Sequence, residues 1–304
     1  MRLPAQVADA GRALRDDVRV VIKQFGRQDI FFHAGAVAYS ALLAGVPFLL
    51  LLASALGFVL RDAPAVSYET LQQFLGELLP AAAVDAAVPL LQGVLADAEA
   101  KRTALGLVGA PLFIWFSTRF FGALRASLIS VFGLERGRGF LHGKLLDMMY
   151  VSVGTLLVTA YLGINAYLAL GTRVGAALMQ TFSVDPDTIG FLEFFIGRLI
   201  ATSFLALMFA ALYKFLPNRH VRFSSAAWGG VWGVALFELT RNVIFELVTR
   251  IVNPASLYSG TLAAIVIVVF WAYYAAVVFL IGGVVARVHE MRSDRQMAPE
   301  REML

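Results

Sequence analysis

Five charged side chains interrupt stretches of the chain that are otherwise apolar: Glu193, Arg198, Glu238, Arg241 and Glu246. A charge inside the hydrocarbon of a membrane is costly, so such residues pair with one another or line a pathway for a substrate or a proton. Glu238 and Arg241 are three residues apart, which is a spacing for an ion pair within one helix. The pattern predicts guanidinium and carboxylate groups able to hold an anionic head group or to relay a proton.

A second polar set lies toward the other side of the predicted membrane region: Asp29, His33, Arg119, Arg125 and Asp147. Between the two sets, Pro47 weakens the backbone hydrogen bonds of the first apolar stretch near its middle. Polar groups on both sides of an apolar middle are what a permeation route needs. The same residues can instead be structural ion pairs between helices, with arginines reaching the head groups. The sequence leaves both interpretations open.

Catalytic patterns are missing from the sequence. The four histidines, at positions 33, 142, 220 and 289, do not have the spacing of metal ligands, and the chain contains no cysteine. No nucleophile elbow, P-loop or dinucleotide fingerprint is found. We therefore expect no catalytic residues, no metal and no cofactor. An enzyme that uses the histidines at the cytoplasmic face is the most remote alternative.

These residues must be positioned by helices that cross a membrane. Hydrophobic residues make up 59% of the 304 residues and charged residues only 15%, a balance that excludes an ordinary soluble domain. Crossing about 30 Å of hydrocarbon takes roughly 20 apolar residues. Three stretches are free of charge and three adjoin the charged residues: 34–60, 148–172 and 251–286, then 103–118, 199–213 and 223–237. The sequence predicts an all-α, polytopic membrane bundle of six transmembrane helices.

The distribution of Lys and Arg predicts the orientation of the bundle. Eighteen of the 25 basic residues fall in the first 32 residues, in 119–144, in 214–222 and in the tail, and five fall in the three other connections. Basic loops stay in the cytoplasm, so both termini are predicted to be cytoplasmic. The same bias accounts for the net charge of +4 without a nucleic-acid partner.

The predicted organisation has three parts. Residues 1–32 form an amphipathic cytoplasmic segment, which either lies on an anionic leaflet or packs under the protein. Residues 33–286 form the transmembrane domain, including a helical periplasmic cap at 61–103. Residues 287–304 form a cytoplasmic tail. Small residues predict close helix contacts in the first and fifth spans: Ala34, Gly35, Ala38 and Gly45, then Gly229, Gly230 and Gly233.

Several short motifs, in this order along the chain, resemble the YihY/BrkB family of membrane proteins. Asp29 is followed by AVAYSALLAGVP at 36–47, and YKFLPN occupies 213–218. The last two spans contribute FEL at 237–239, YSGTL at 258–262 and FWAY at 270–273. The resemblance covers residues 20–290. It implies a six-helix bacterial inner-membrane protein, linked in some members to serum resistance, virulence and envelope function.

The function we expect is a transporter or lipid-handling protein of the cell envelope that moves an anionic or amphiphilic substrate. The substrate pathway is assigned to Glu193, Arg198, Glu238 and Arg241 on the outer side and to Asp29 and Arg119 on the inner side. The motif residues Tyr39, Pro47, Pro217 and Asn218 would shape it. Its partners would be membrane lipids and a small-molecule or lipid substrate. The alternative is a scaffold that organises envelope proteins through the cap and the basic N-terminal helix. The ribonuclease label that the family has carried finds no support in the residues.

Overall fold

The structure is a computed structural model, and it describes residues 29–59, 109–134, 186–217, 221–244 and 260–301 together with the single positions 76, 84 and 149. Every regular element in these segments is helical, which confirms the all-α class for the part of the chain described. The helices are α1 (Ile30–Val59), α2 (Gly109–Phe132), α3 (Pro186–Phe215), α4 (Phe223–Leu239), a π-helical turn (Thr240–Ile244) and α5 (Gly260–Arg301).

Three helical segments in the described ranges are long and apolar enough to cross a membrane: Gly109–Phe132, Arg198–Phe215 and Ile265–Asp294. A shorter apolar segment, Ile30–Gly45, belongs to α1. The third predicted span, at 148–172, lies outside the described residues except for Met149. The N-terminal segment also lies outside them, as does the cap except for Gly76 and Val84, both helical. Six spans and cytoplasmic termini therefore remain predictions.

Helix α1 follows a residue with a left-handed backbone conformation and contains no Asp, Glu, Lys or Arg. Asp29 has φ of +44°, a conformation that the short side chain of aspartate tolerates. Its carbonyl accepts a hydrogen bond of 3.0 Å from the His33 amide. Pro47 is buried inside the helix. Ile30, Ala34, Val37 and Ala38 form the buried face, and α1 packs against α5.

Helix α5 contacts several of the other described helices. It packs against α1 and α4. On another side Gly283 faces Leu128 of α2, and the Arg287 guanidinium donates to the Val131 carbonyl at 2.6 Å. The helix continues without a break to Arg301, because the residues after 286 include strong helix formers such as arginine, methionine and glutamate. Most of the predicted tail, 287–304, is thus helical and continuous with α5.

The fifth predicted span, α4, packs through glycines. A Cβ on Gly229 would lie 2.8 Å from the Gly282 carbonyl oxygen of α5, and one on Gly230 would lie 2.6 Å from the Ala206 carbonyl oxygen of α3. Such contacts are possible only for glycine, so the prediction of close backbone approach on this span is confirmed. For Gly35 and Gly45 of α1 no described atom lies within 4 Å of the Cβ positions, so close approach at these two glycines stays a prediction.

Tyr213 ties three helices together at this crossing. Its side chain, on α3, is fully buried and its hydroxyl donates to the Phe279 carbonyl of α5 at 2.6 Å. The ring lies against Gly229 and Gly233 of α4, and Phe209 approaches it edge-on. A buried tyrosine hydroxyl needs a partner, and here that partner is a helix carbonyl.

Large apolar side chains cover the outside of the bundle. Exposed examples include Leu112, Ile114 and Trp115 on α2, Trp228, Val231 and Trp232 on α4, and Val266, Val269 and Phe270 on α5. Apolar surface of this extent is not left in contact with water in a soluble monomer. It is the surface expected of helices that face lipid.

Candidate functional site

Three of the predicted pathway residues come together where α3 and α4 meet. Arg198 lies on α3, Glu238 lies near the end of α4, and Arg241 lies on the π-helical turn. We call Arg198, Glu238, Arg241 and Asn242 the charged site. The Arg198 guanidinium contacts Glu238 Oε2 directly. The sequence did not show this contact, because the two residues are 40 positions apart.

Glu238 is the common acceptor of the charged site. Its Oε2 also accepts from Arg241 at 3.1 Å and from the Asn242 side-chain amide at 2.9 Å. The Arg241 contact confirms the intrahelical pair predicted from the three-residue spacing. Hydrogen bonds between charged partners are roughly twice as strong as neutral ones. The three donors together therefore hold the Glu238 carboxylate in one position.

The two arginines differ in exposure. The Arg241 side chain is only 4% exposed, whereas that of Arg198 is 37% exposed and that of Glu238 is 21% exposed. Arg241 also donates to the Gly76 carbonyl at 2.9 Å, so a residue of the predicted cap reaches the charged site. Arg241 is thus fixed by both Glu238 and Gly76, whereas part of the Arg198 side chain is exposed at the surface of the protein.

The backbone changes its winding at the charged site. Residues Thr240–Ile244 form a π-helical turn directly after α4, and the Thr240 amide faces the carbonyls of both Leu236 and Phe237. Single π-helical turns are frequently found at functional sites. This turn sets the direction in which Arg241 and Asn242 leave the helix. Hydrophobic periodicity alone did not reveal it.

An aromatic layer lies below the charged site. Phe237 immediately precedes Glu238, and its ring packs edge-on against Trp271 at 5.3 Å and against Phe209 at 6.3 Å between ring centroids. All three rings are buried. These rings form an apolar core beside the end of α4 that carries Glu238, and a low dielectric strengthens the attraction between charges while raising the cost of an unpaired one.

The remaining predicted pathway residues do not form part of this group in the described ranges. Asp29 precedes α1, and Arg119 is exposed on α2. Glu193 lies on α3, but its side chain is outside the described residues, as is Glu246. The structure therefore brings together three of the six assigned positions.

The motif residues have different surroundings from one another. Tyr39 is 65% exposed on the outside of α1, while Pro47 and Pro217 are buried. Asn218 lies outside the described residues. The aromatic Trp271 fills the core beside Phe237, as expected for packing in a membrane bundle.

A polar cluster that the sequence did not indicate joins α4 to the extension of α5. The buried Glu290 carboxylate accepts from the Arg222 amide at 3.1 Å, and the Arg222 guanidinium pairs with Asp294 at 3.0 Å. Ser225 lies 3.1 Å from His289 Nδ1. A carboxylate at a helix N-terminus is favourable, so this cluster fixes the start of α4. In the described part of the chain no group of three His, Asp or Glu side chains could hold a metal ion.

Comparison with known proteins yields one family and a set of proteins named UPF0761 membrane proteins. The profile of the family described as Virulence factor BrkB matches residues 21–303. A UPF0761 membrane protein of Nitrosospira multiformis is 26% identical over 95% of this chain and 66% of its own length. One from Vibrio vulnificus is 28% identical over 93% of this chain and 83% of its own length.

The lengths of the relatives differ. A UPF0761 membrane protein of Prosthecochloris aestuarii is 25% identical over 90% of this chain but only 61% of its own length. The chain thus spans about two thirds of some of the relatives it matches. No solved structure matches the chain.

Proposed function

The chain belongs to the BrkB virulence-factor family of membrane proteins, and from that premise we propose that it moves a substrate with an anionic head group across the bacterial inner membrane. In this proposal the protein is a multi-pass transporter or lipid-handling protein of the cell envelope, with six spans and both termini in the cytoplasm. Glu193, Arg198, Glu238 and Arg241 form the outer station of the route, and Asp29 and Arg119 form the inner one.

The observation that carries the proposal is the half-open ion pair between Arg198 and Glu238. A phosphate or carboxylate head group offers the guanidinium the same oxygen acceptors as the Glu238 carboxylate. Because 37% of the Arg198 side chain is exposed, such a group can reach it without opening the bundle. The head group would replace Glu238 as the partner of Arg198.

Replacing Glu238 by the head group as the partner of Arg198 costs little free energy, because Glu238 keeps two other hydrogen-bond donors. When Arg198 turns to the substrate, Arg241 and Asn242 still donate to Glu238 Oε2. A carboxylate next to the buried Phe237 would otherwise be left unpaired, and an unpaired charge in such a place costs several kcal/mol, on the order of 3. Arg241 therefore stabilises the site, and Arg198 binds the substrate.

A scaffold is the second candidate, and one contact favours it. The Arg241 guanidinium donates to the Gly76 carbonyl, so the charged site can serve to hold the cap on the bundle for a partner protein. In that case the charges are structural ion pairs, and nothing needs to pass between the helices.

Transport of fluorescent anionic phospholipid in proteoliposomes separates the two candidates. We expect the wild type to move the lipid, and Glu238→Gln and Arg198→Gln to lower the rate at least about tenfold at equal protein density, since each removes one charge of the exchanging pair. Arg198→Lys should keep part of the rate, because lysine binds phosphate as a point charge but lacks the planar guanidinium.

Arg222→Gln is the matched control, because it removes an arginine charge whose partner, Asp294, belongs to the α4–α5 cluster and not to the charged site. Its rate should equal that of the wild type. A wild type that moves neither anionic lipid nor a small anionic solute would overturn the transport proposal and leave the scaffold.

A further inference from the structure

Lys214 lies beside two aromatic rings at the end of α3. Its ammonium nitrogen is 5.9 Å from the ring centroid of Phe215, the last residue of α3, and 5.9 Å from that of Phe223, the first residue of α4. Cations within about 6 Å of a ring centroid are attracted to the face of the ring. We call Lys214, Phe215 and Phe223 the lysine–phenylalanine site.

No carboxylate of the described residues pairs with Lys214. Its ammonium donates to the neutral Val221 carbonyl at 3.2 Å, which uses one of its three hydrogens. The neighbouring Arg222 side chain is already paired with Asp294, and its amide with Glu290. The charge of Arg222 is thus balanced by Asp294, whereas no described carboxylate balances the charge of Lys214.

The two rings are open to the surroundings of the protein. Phe215 is 56% exposed and Phe223 is 64% exposed. They stand where the apolar segment Arg198–Phe215 ends, and in the predicted topology this end lies where the hydrocarbon gives way to head groups. Aromatic rings with a basic residue beside them are typical of this depth.

We propose that the lysine–phenylalanine site binds the phosphate of an anionic phospholipid from the adjacent leaflet, which is the cytoplasmic leaflet in the predicted topology. The ammonium holds the phosphate, and the two rings contact the glycerol and the first part of the acyl chains. Phosphatidylglycerol fits this description, whereas a zwitterionic lipid would bring its own cation close to Lys214. The site should therefore prefer lipids with a net negative charge over zwitterionic lipids.

This site is separate from the charged site. Lys214 follows Arg198 by 16 residues on the same helix, which is about 24 Å at 1.5 Å per residue. The two cations thus lie at opposite ends of the apolar segment Arg198–Phe215 of α3. Binding at Lys214 does not require that the protein transport anything, so the inference goes beyond the proposed function.

The test is lipid binding measured by native mass spectrometry on the purified full chain in detergent. Phosphatidylglycerol and phosphatidylcholine with identical acyl chains are titrated separately into the Arg198→Gln variant, so that the charged site contributes little. Adding Lys214→Gln to that variant should lower the affinity for phosphatidylglycerol about fivefold, the effect of one interfacial charge. The affinity for phosphatidylcholine should not change.

Three further variants in the same background complete the design. Lys214→Arg should keep the preference for phosphatidylglycerol, because it retains the charge. Arg222→Gln should also keep it, because that charge is neutralised by Asp294. Replacing both rings with leucine, which leaves the Lys214 bond to Val221 in place, should lower the affinity for both lipids.

Two results would overturn the inference. One is an unchanged affinity for phosphatidylglycerol in Lys214→Gln. The other is an equal loss in Arg222→Gln, which would mean that the lipid responds to overall charge and not to this site. If Lys214→Gln does not fold, as judged by its melting temperature without lipid, the double leucine variant provides the test. An affinity for phosphatidylglycerol equal to that of Arg198→Gln alone would then contradict the proposed lipid site. A wild type that transports nothing would bear only on the proposed function, because this binding test does not depend on transport.

Discussion

Glu238 concentrates the interactions of the charged site on one oxygen atom. Arg198 reaches it from another helix, and Arg241 and Asn242 reach it from the same helix one turn on. The three contacts are not equivalent, because the contribution of an ion pair to the free energy of unfolding depends on how deeply it is buried. Exposed ion pairs contribute about 0 to 1 kcal/mol, whereas removing one member of a buried pair leaves a charge without solvent.

Arg241→Gln and Arg198→Gln should therefore differ in their effect on stability. Arg241 is 4% exposed and Arg198 is 37% exposed, so we expect a loss of about 2 kcal/mol in the free energy of unfolding for Arg241→Gln and less than about 1 kcal/mol for Arg198→Gln. Chemical unfolding in detergent micelles measures both. Equal losses of stability in the two variants would mean that Arg198 contributes as much to stability as the buried Arg241, and would contradict this prediction.

At the scale of the elements, two features position α4. Glycines let it approach the backbones of α3 and α5, and carboxylates of α5 bind its first residues. Gly229 and Gly230 let the α5 and α3 backbones approach, and Glu290 from the extension of α5 accepts from the Arg222 amide at the start of α4. The charged site stands at the other end of the same helix. Its geometry thus depends on contacts made along the whole of α4.

Gly229→Ala tests the α4–α5 crossing. The new methyl would lie 2.6 Å from the Ala286 Cβ and 2.8 Å from the Gly282 carbonyl oxygen, and overpacking of this kind costs about 1 to 3 kcal/mol. We expect a lower melting temperature for Gly229→Ala. Gly35→Ala is the control, because no described atom lies within 4 Å of that position. There the better helix propensity of alanine should leave stability unchanged or raise it by up to about 1 kcal/mol.

At the scale of the whole molecule, the apolar exterior and the apolar helices place the chain in a lipid environment. The orientation in that environment is predicted only by the asymmetry of basic residues. The lysine–phenylalanine site and the charged site are assigned to opposite leaflets on the same grounds. A direct test of topology therefore bears on both proposals.

The absence of cysteine from the sequence makes that test simple. Single substitutions Ala65→Cys, in the predicted cap, and Ser183→Cys, in the connection after the third span, should react in intact cells with a maleimide that cannot cross the inner membrane. Gly139→Cys, in a predicted cytoplasmic connection, should react only after the cells are lysed. Labelling of Gly139→Cys in intact cells would contradict the predicted orientation.

Four features of the described structure could be predicted from the amino-acid sequence: its all-α class, the charged residues inside apolar segments, the Glu238–Arg241 pair and the close-packed glycines of α4. These features depend on the chain within a few turns of a helix, where composition, charge and the 3.6-residue period act directly. Three features required the folded structure: the contact of Arg198 with Glu238, the lack of a close described neighbour at Gly35 and Gly45, and the position of Lys214 beside two phenylalanine rings. These contacts depend on how each helix is rotated about its axis and where it crosses its neighbours. That arrangement is set by the packing of side chains from distant parts of the chain, such as Tyr213 against Gly229 and Phe279.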